Sequence, residues 1–92
     1  EKLPDDPNVM DTLGWVYYKK GLYDYAIGEF SDSLTKLVDN PVVNYHLGMA
    51  YFKKGDTARA QEQLKKALNL QADFPGSEEA RRVLAEFILS SS

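Results

Sequence analysis

The chain has 92 residues, no cysteine and a net charge of −3. A domain of this size removes only about 60–65% of its unfolded surface from water, and it has no thiolate for a disulfide or a metal. The acidic balance argues against nucleic acid or an acidic membrane surface as the main partner, and no apolar run reaches the roughly 18 residues a membrane span needs.

Apolar residues recur three and four apart along the whole sequence, so the predicted class is all-α. A first helix is predicted from about Asn8 to Lys20, with Val9, Met10, Leu13, Gly14 and Tyr17 on its inward stripe and Gly21 as its stop. A second runs from about Tyr23 to Val38, with Ala26, Ile27, Phe30, Leu34 and Leu37 inward. Gly28 lies inside it, at a cost of about 1 kcal/mol relative to alanine, and a close approach of helix backbones would account for it. Asp39-Asn40-Pro41 is a break followed by a helix start. The third helix carries Val43, Leu47, Gly48, Ala50 and Tyr51 up to Gly55. The fourth, from about Thr57 to Gln71, turns Ala60, Leu64, Ala67, Leu68 and Leu70 inward, with Asp56 or Thr57 as its cap. Phe74-Pro75-Gly76 interrupts again. A fifth helix is predicted from about Ser77 to Leu89, capped by Ser77, with Ala80, Val83, Leu84, Phe87 and Ile88 inward.

The sequence also repeats at an offset of 34 residues. Leu13-Gly14 returns as Leu47-Gly48, Tyr17 as Tyr51, Lys19-Lys20-Gly21 as Lys53-Lys54-Gly55, and Ala26 as Ala60. A fixed period of this size marks stacked units, which bind partners far more often than they catalyse.

These positions resemble the tetratricopeptide repeat. Residues 7–40 supply Met10, Leu13, Gly14, Tyr17, Gly21, Ala26, Phe30 and Ser33 of its pattern; residues 41–74 supply Asn44, Leu47, Gly48, Tyr51, Gly55, Ala60, Leu64 and Ala67. Met10 and Asn44 stand where the family usually has Trp, Ser33 where it has Ala, and Leu64 where it has an aromatic. The resemblance implies an α-α superhelix of two helical hairpins, over 7–40 and 41–74, with a capping helix over 77–89. Residues 1–6, with Leu3-Pro4-Asp5-Asp6, read as the tail of a preceding unit or a linker. The expected setting is the C-terminal end of a longer, bacterial array, in the cytoplasm or the periplasm.

The first helix of each unit has a second face. In the first unit it carries Asn8, Asp11, Trp15, Tyr18 and Lys19; in the second, Val42, Tyr45, Met49, Phe52 and Lys53. In the family this face lines a concave groove that holds a peptide, and aromatic and Met side chains suit such a surface. The competing reading is packing against an adjacent helix, including the fifth. The family's Lys–Asn–Arg clamp for acidic chaperone tails does not carry over, because Asp11, Trp15 and His46 occupy its positions. The favoured ligand is a peptide with an apolar or aromatic anchor, oriented by Lys19, Lys53 and Asp11.

No nucleophile stands with a partnered base, no glycine-rich phosphate loop is present, and a lone His46 cannot build a four-ligand zinc site. No catalytic, cofactor-binding or metal residue is therefore assigned. The expected function is a non-enzymatic protein- or peptide-binding module of a larger scaffold, without nucleic acid or membrane insertion. The alternative is self-association, through the face that the first helix would expose if no unit preceded it.

Overall fold

Three of the helix starts, those of the first, third and fourth helices, follow from a short polar residue placed where backbone N–H groups need an acceptor. Asp6 and Asn40 both precede a proline and both cap: Asp6 Oδ1 accepts from the Asn8 N–H at 2.9 Å, and Asn40 Oδ1 from Val42 and Val43 at 2.9 and 3.1 Å. Asp56 caps the fourth helix through the Arg59 N–H at 3.2 Å. The elements are α1 (Pro7–Lys19), α2 (Tyr23–Leu34), α3 (Pro41–Lys54), α4 (Thr57–Leu70) and α5 (Ser77–Ser90). This is a computed structural model, which describes residues 6–90; among these there is no strand. Leu3, Pro4 and Asp5 of the expected tail lie outside the described residues.

The two hairpins turn alike. Gly21 and Gly55 both take positive φ, at 79° and 96°, and the next residue's N–H closes on a tyrosine carbonyl, Leu22 on Tyr17 and Asp56 on Tyr51, both at 2.9 Å. Within each hairpin a glycine lets the helices approach. A Cβ at Gly14 would sit 2.6 Å from the Phe30 ring, and one at Gly48 2.7 Å from the Leu64 side chain and 3.2 Å from the Leu64 backbone nitrogen. Phe30 and Leu64 are both fully buried.

The hairpins dock in sequence. α2 packs on α1 and on α3, and α4 on α3 and on α5. Two apolar clusters result: Ala26, Phe30, Leu47 and Ala50 between the hairpins, and Tyr45, Met49, Ala60, Leu64, Ala67, Phe74, Ala80, Val83 and Phe87 around α5. The order is thus two hairpins and a closing helix.

Several boundaries and faces differ from the sequence reading. α2 ends at Leu34, four residues before Val38, because its last turn tightens: Thr35 and Lys36 N–H groups bond to Asp32 and Ser33, three residues back. The linker that follows is held by Asn44, fully buried, whose Nδ2 donates to the Asn40 carbonyl at 2.8 Å and the Val38 carbonyl at 3.4 Å. Ser33 takes the family's alanine position because its hydroxyl donates to the Pro7 carbonyl at 2.8 Å, tying the end of α2 to the start of α1. Ser77 does not cap α5 from outside; it is its first residue, and its hydroxyl pairs with Asp73 Oδ1 at 3.3 Å. Gly76 precedes it at φ 103°, with the Tyr45 ring where a Cβ would go. Leu70 and Ile88 face solvent rather than the core, as do Val9 and Leu13 of α1.

Gly28 is not a close-approach glycine: it is exposed and a Cβ there meets nothing within 4 Å. Gly28→Ala is therefore expected to stabilise by about 1 kcal/mol, raising Tm by about 4–8 °C. Gly48→Ala, which collides with a buried side chain and backbone, is expected to destabilise by about 1–3 kcal/mol. Thermal melts of the two variants check both signs.

Candidate functional site

On α1, residues 8, 11, 15 and 18 are spaced three, four and three apart, so their side chains form one row along the helix. The structure brings the middle of this row together. The Trp15 and Tyr18 rings stack at 4.6 Å with an interplanar angle of 8°. The other neighbour of Trp15 is His46 of α3, stacked at 4.3 Å. His46 Nδ1 lies 2.8 Å from Asp11 Oδ1, and the imidazole is flanked by Phe30 at 5.4 Å and Tyr45 at 5.6 Å. Asp11, Trp15, Tyr18 and His46 thus make one half-buried polar-aromatic cluster across the α1–α3 contact. Lys19 Nζ stands 5.8 Å above the Trp15 ring, within cation–π reach.

The matching row on α3 is divided. Tyr45 and Met49 are only 9% and 3% exposed, because they belong to the cluster that α5 closes, with Tyr45 5.8 Å from Phe74. They are not open to a ligand as a groove lining would be. Phe52 is half-buried, edge-on to Phe87 at 5.6 Å, with Lys53 Nζ 6.0 Å over its ring. Val42 is half-buried, and Asn8, Lys19 and Lys53 are exposed. Asp11 is committed to His46, which leaves Lys19 and Lys53 as the exposed cations of the set.

One rule accounts for both rows. Each meets the first helix of the following unit: α1 meets α3 through His46, and α3 meets α5, which takes the corresponding place. Asp11, Trp15 and Tyr18 match Tyr45, Met49 and Phe52 at the 34-residue offset, so the same row serves the helix–helix contact with its inner edge and faces solvent with its outer edge. Sequence reasoning gave His46 no place in the site, naming it only where the clamp and a zinc site were set aside. The signal that could have placed it is its position one residue beyond Tyr45, on the side of α3 that α1 faces.

The site's electrostatics follow from burial. The Tyr18 hydroxyl is pushed up to about 12, first by burial and then by Tyr45, Tyr23 and Glu79. Tyr45 is raised too, by burial and by Glu79, with Arg82 opposing. Arg82 is itself held by Glu79 and Glu86 at 2.6 and 2.8 Å. Among the described residues no three His, Cys, Asp or Glu side chains gather as metal ligands, and no helix is long and apolar enough to cross a membrane. The face offers π surfaces and two cations, a chemistry of non-covalent contact.

Residues 42–74 match the family model of the tetratricopeptide repeat. The match covers α3, α4 and the start of the loop after them, and the described residues are built as an all-α helical repeat consistent with it. Repeats of this family are non-catalytic modules that generally mediate protein–protein interaction. No curated protein matches the chain.

The raised Tyr18 value sets a pH dependence. An unfolded tyrosine ionises near 10, so the folded state holds this proton to higher pH than the unfolded state does. The stability this contributes is complete below pH 10 and is lost as pH rises towards 12. The denaturation midpoint is expected to fall over that window, and to fall less in Tyr18→Phe. An identical pH profile for both proteins would refute the assignment.

Proposed function

We propose that the protein holds a peptide segment of a partner against the outer edge of the α1–α3 face, as an interaction module of a larger scaffold. The observation that carries this is the stacked Trp15–Tyr18 pair, half-exposed and overhung by Lys19. The two rings lie parallel and His46 stacks on Trp15, so their rotamers are already fixed and a ligand side chain laid against the exposed part of the pair orders little more of the protein. One unit on, Phe52 offers a second half-buried ring with Lys53 above it, edge-on to Phe87 rather than stacked.

The ligand that fits has an aromatic or apolar anchor for the platform and a carboxylate within reach of Lys19 or Lys53. Asn8 and Val42 border the face; Asp11 acts by orienting His46 beneath Trp15. Tyr45 and Met49 take part as the support under α5. The module provides a pre-formed surface and no chemistry of its own.

The experiment is selection of binders from a peptide library, followed by titration against the wild type and a Trp15→Ala/Phe52→Ala variant checked for native helicity. Removing two aromatic anchors is expected to weaken the selected peptides about 30-fold or more. The sole tryptophan should change its emission on binding, since Trp15 is the contact. Peptides that bind the double variant as tightly as the wild type would refute this surface.

A further inference from the structure

We infer that His46 makes the Trp15–Tyr18 surface responsive to pH: when its imidazole takes up a proton, the face gains a positive charge and attracts anions more strongly. The consequence for binding rests on the reading of that surface as the ligand site. The charge change itself can be measured without a ligand.

The geometry gives the proton a place. His46 Nδ1 lies 2.8 Å from Asp11 Oδ1. A carboxylate can only accept, so in the neutral ring Nδ1 carries the hydrogen, and Nε2 is the nitrogen that gains or loses the second one. The side chains of His46 and Asp11 are 14% and 19% exposed, so solvent screens the pair weakly and yet reaches it.

The charges then give the direction. With the imidazole neutral, Asp11 leaves the pair negative, and Lys19 above Trp15 offsets it. With the imidazole protonated, His46 matches Asp11 and the charge of Lys19 stands uncompensated. The imidazolium is accommodated where it lies. It keeps Asp11 as a charge-assisted partner, and the Trp15, Phe30 and Tyr45 rings stand at 4.3, 5.4 and 5.6 Å, within cation–π range.

The groups packed around the ring come from four helices. On α1 they are Asp11, Tyr18 and Lys19. On α2, Phe30 makes the contact, and Tyr23 reaches the cluster through Tyr18, its ring 5.7 Å away. On α3 the neighbour is Tyr45. On α5, Glu79 acts on both Tyr18 and Tyr45, and Arg82 on Tyr45. Imidazole is the side chain whose ordinary charge change falls between about pH 5 and 8, and His46 is the sole histidine. Burial pushes the Tyr18 and Tyr45 hydroxyls further above that window.

The sole tryptophan, Trp15, is the reporter, because the charge appears in a ring stacked 4.3 Å from its own. Its emission in the whole chain is expected to follow one titration between about pH 5.5 and 8, and to lose it in His46→Gln, whose amide can still donate to Asp11. Iodide, an anion, and neutral acrylamide are then compared as quenchers at constant ionic strength. The ratio of iodide to acrylamide quenching is expected to rise about twofold from pH 8 to pH 5.5, the scale of one added charge at a partly exposed site. In His46→Gln that ratio should stay level. A library-selected peptide that ends in a carboxylate should bind about threefold more tightly at the lower pH, and its amidated form should not. The inference is overturned if the emission does not titrate in the wild type, if His46→Gln titrates as the wild type does, or if the quenching ratio is the same at both pH values. Failure of the peptide selection would count against the surface as a ligand site alone, since the emission and quenching readings use no peptide.

Discussion

Phe30 packs directly against Gly14, and Leu64 against Gly48, and the architecture depends on those two contacts. A helix pair separated by ordinary side chains sits 8–10 Å apart. Removing one Cβ from each first helix lets a large, fully buried side chain of the second fill the space directly against the backbone. The approach fixes the angle at which each hairpin closes, and so fixes where the outer side of the second helix points. For α2 that outer side meets α3. One helix thus completes one unit and begins the next, which is how a short chain assembles apolar clusters without a central core.

That economy has a functional side. The row on each first helix that faces inward along the stack is shared between packing and exposure. Where a following first helix lies close, as α5 does on α3, Tyr45 and Met49 are consumed as core. Where the contact is partly polar, as between α1 and α3, Asp11 and His46 hold Trp15 in place and leave it half-buried. Binding surface in such a stack is what the neighbouring helix leaves over.

The fold was largely legible in the sequence, because its determinants are local and recur. Gly21 and Gly55, Asn40-Pro41, Asp56, and the Gly14/Phe30 and Gly48/Leu64 pairs each declare a turn, a cap or a close approach by residue type. The site was less legible because exposure depends on the neighbour. Nothing in Tyr45 or Met49 announces that α5 will lie on them, since the loop before α5 breaks the register and its Gly76 admits the Tyr45 ring. His46 looked unremarkable for the same reason: its partners, Asp11 and Trp15, sit a whole unit away. The spacing of Val9 and Leu13 marks an apolar stripe correctly, but which side of a stripe is covered depends on how many helices surround it. Ile88 shows the same limit at the other end.

α5 shares less packing with the rest than any other helix does, resting on α4 and only lightly on α3. In a linear stack such a lightly packed element opens at lower free energy than the hairpins, without global unfolding. Its release would expose the side of α3 on which Tyr45 and Met49 sit, lengthening the apolar strip that begins at Trp15. The protein's amide exchange should accordingly form a gradient, fastest in α5 and slowest in α2 and α3, which are enclosed on both sides.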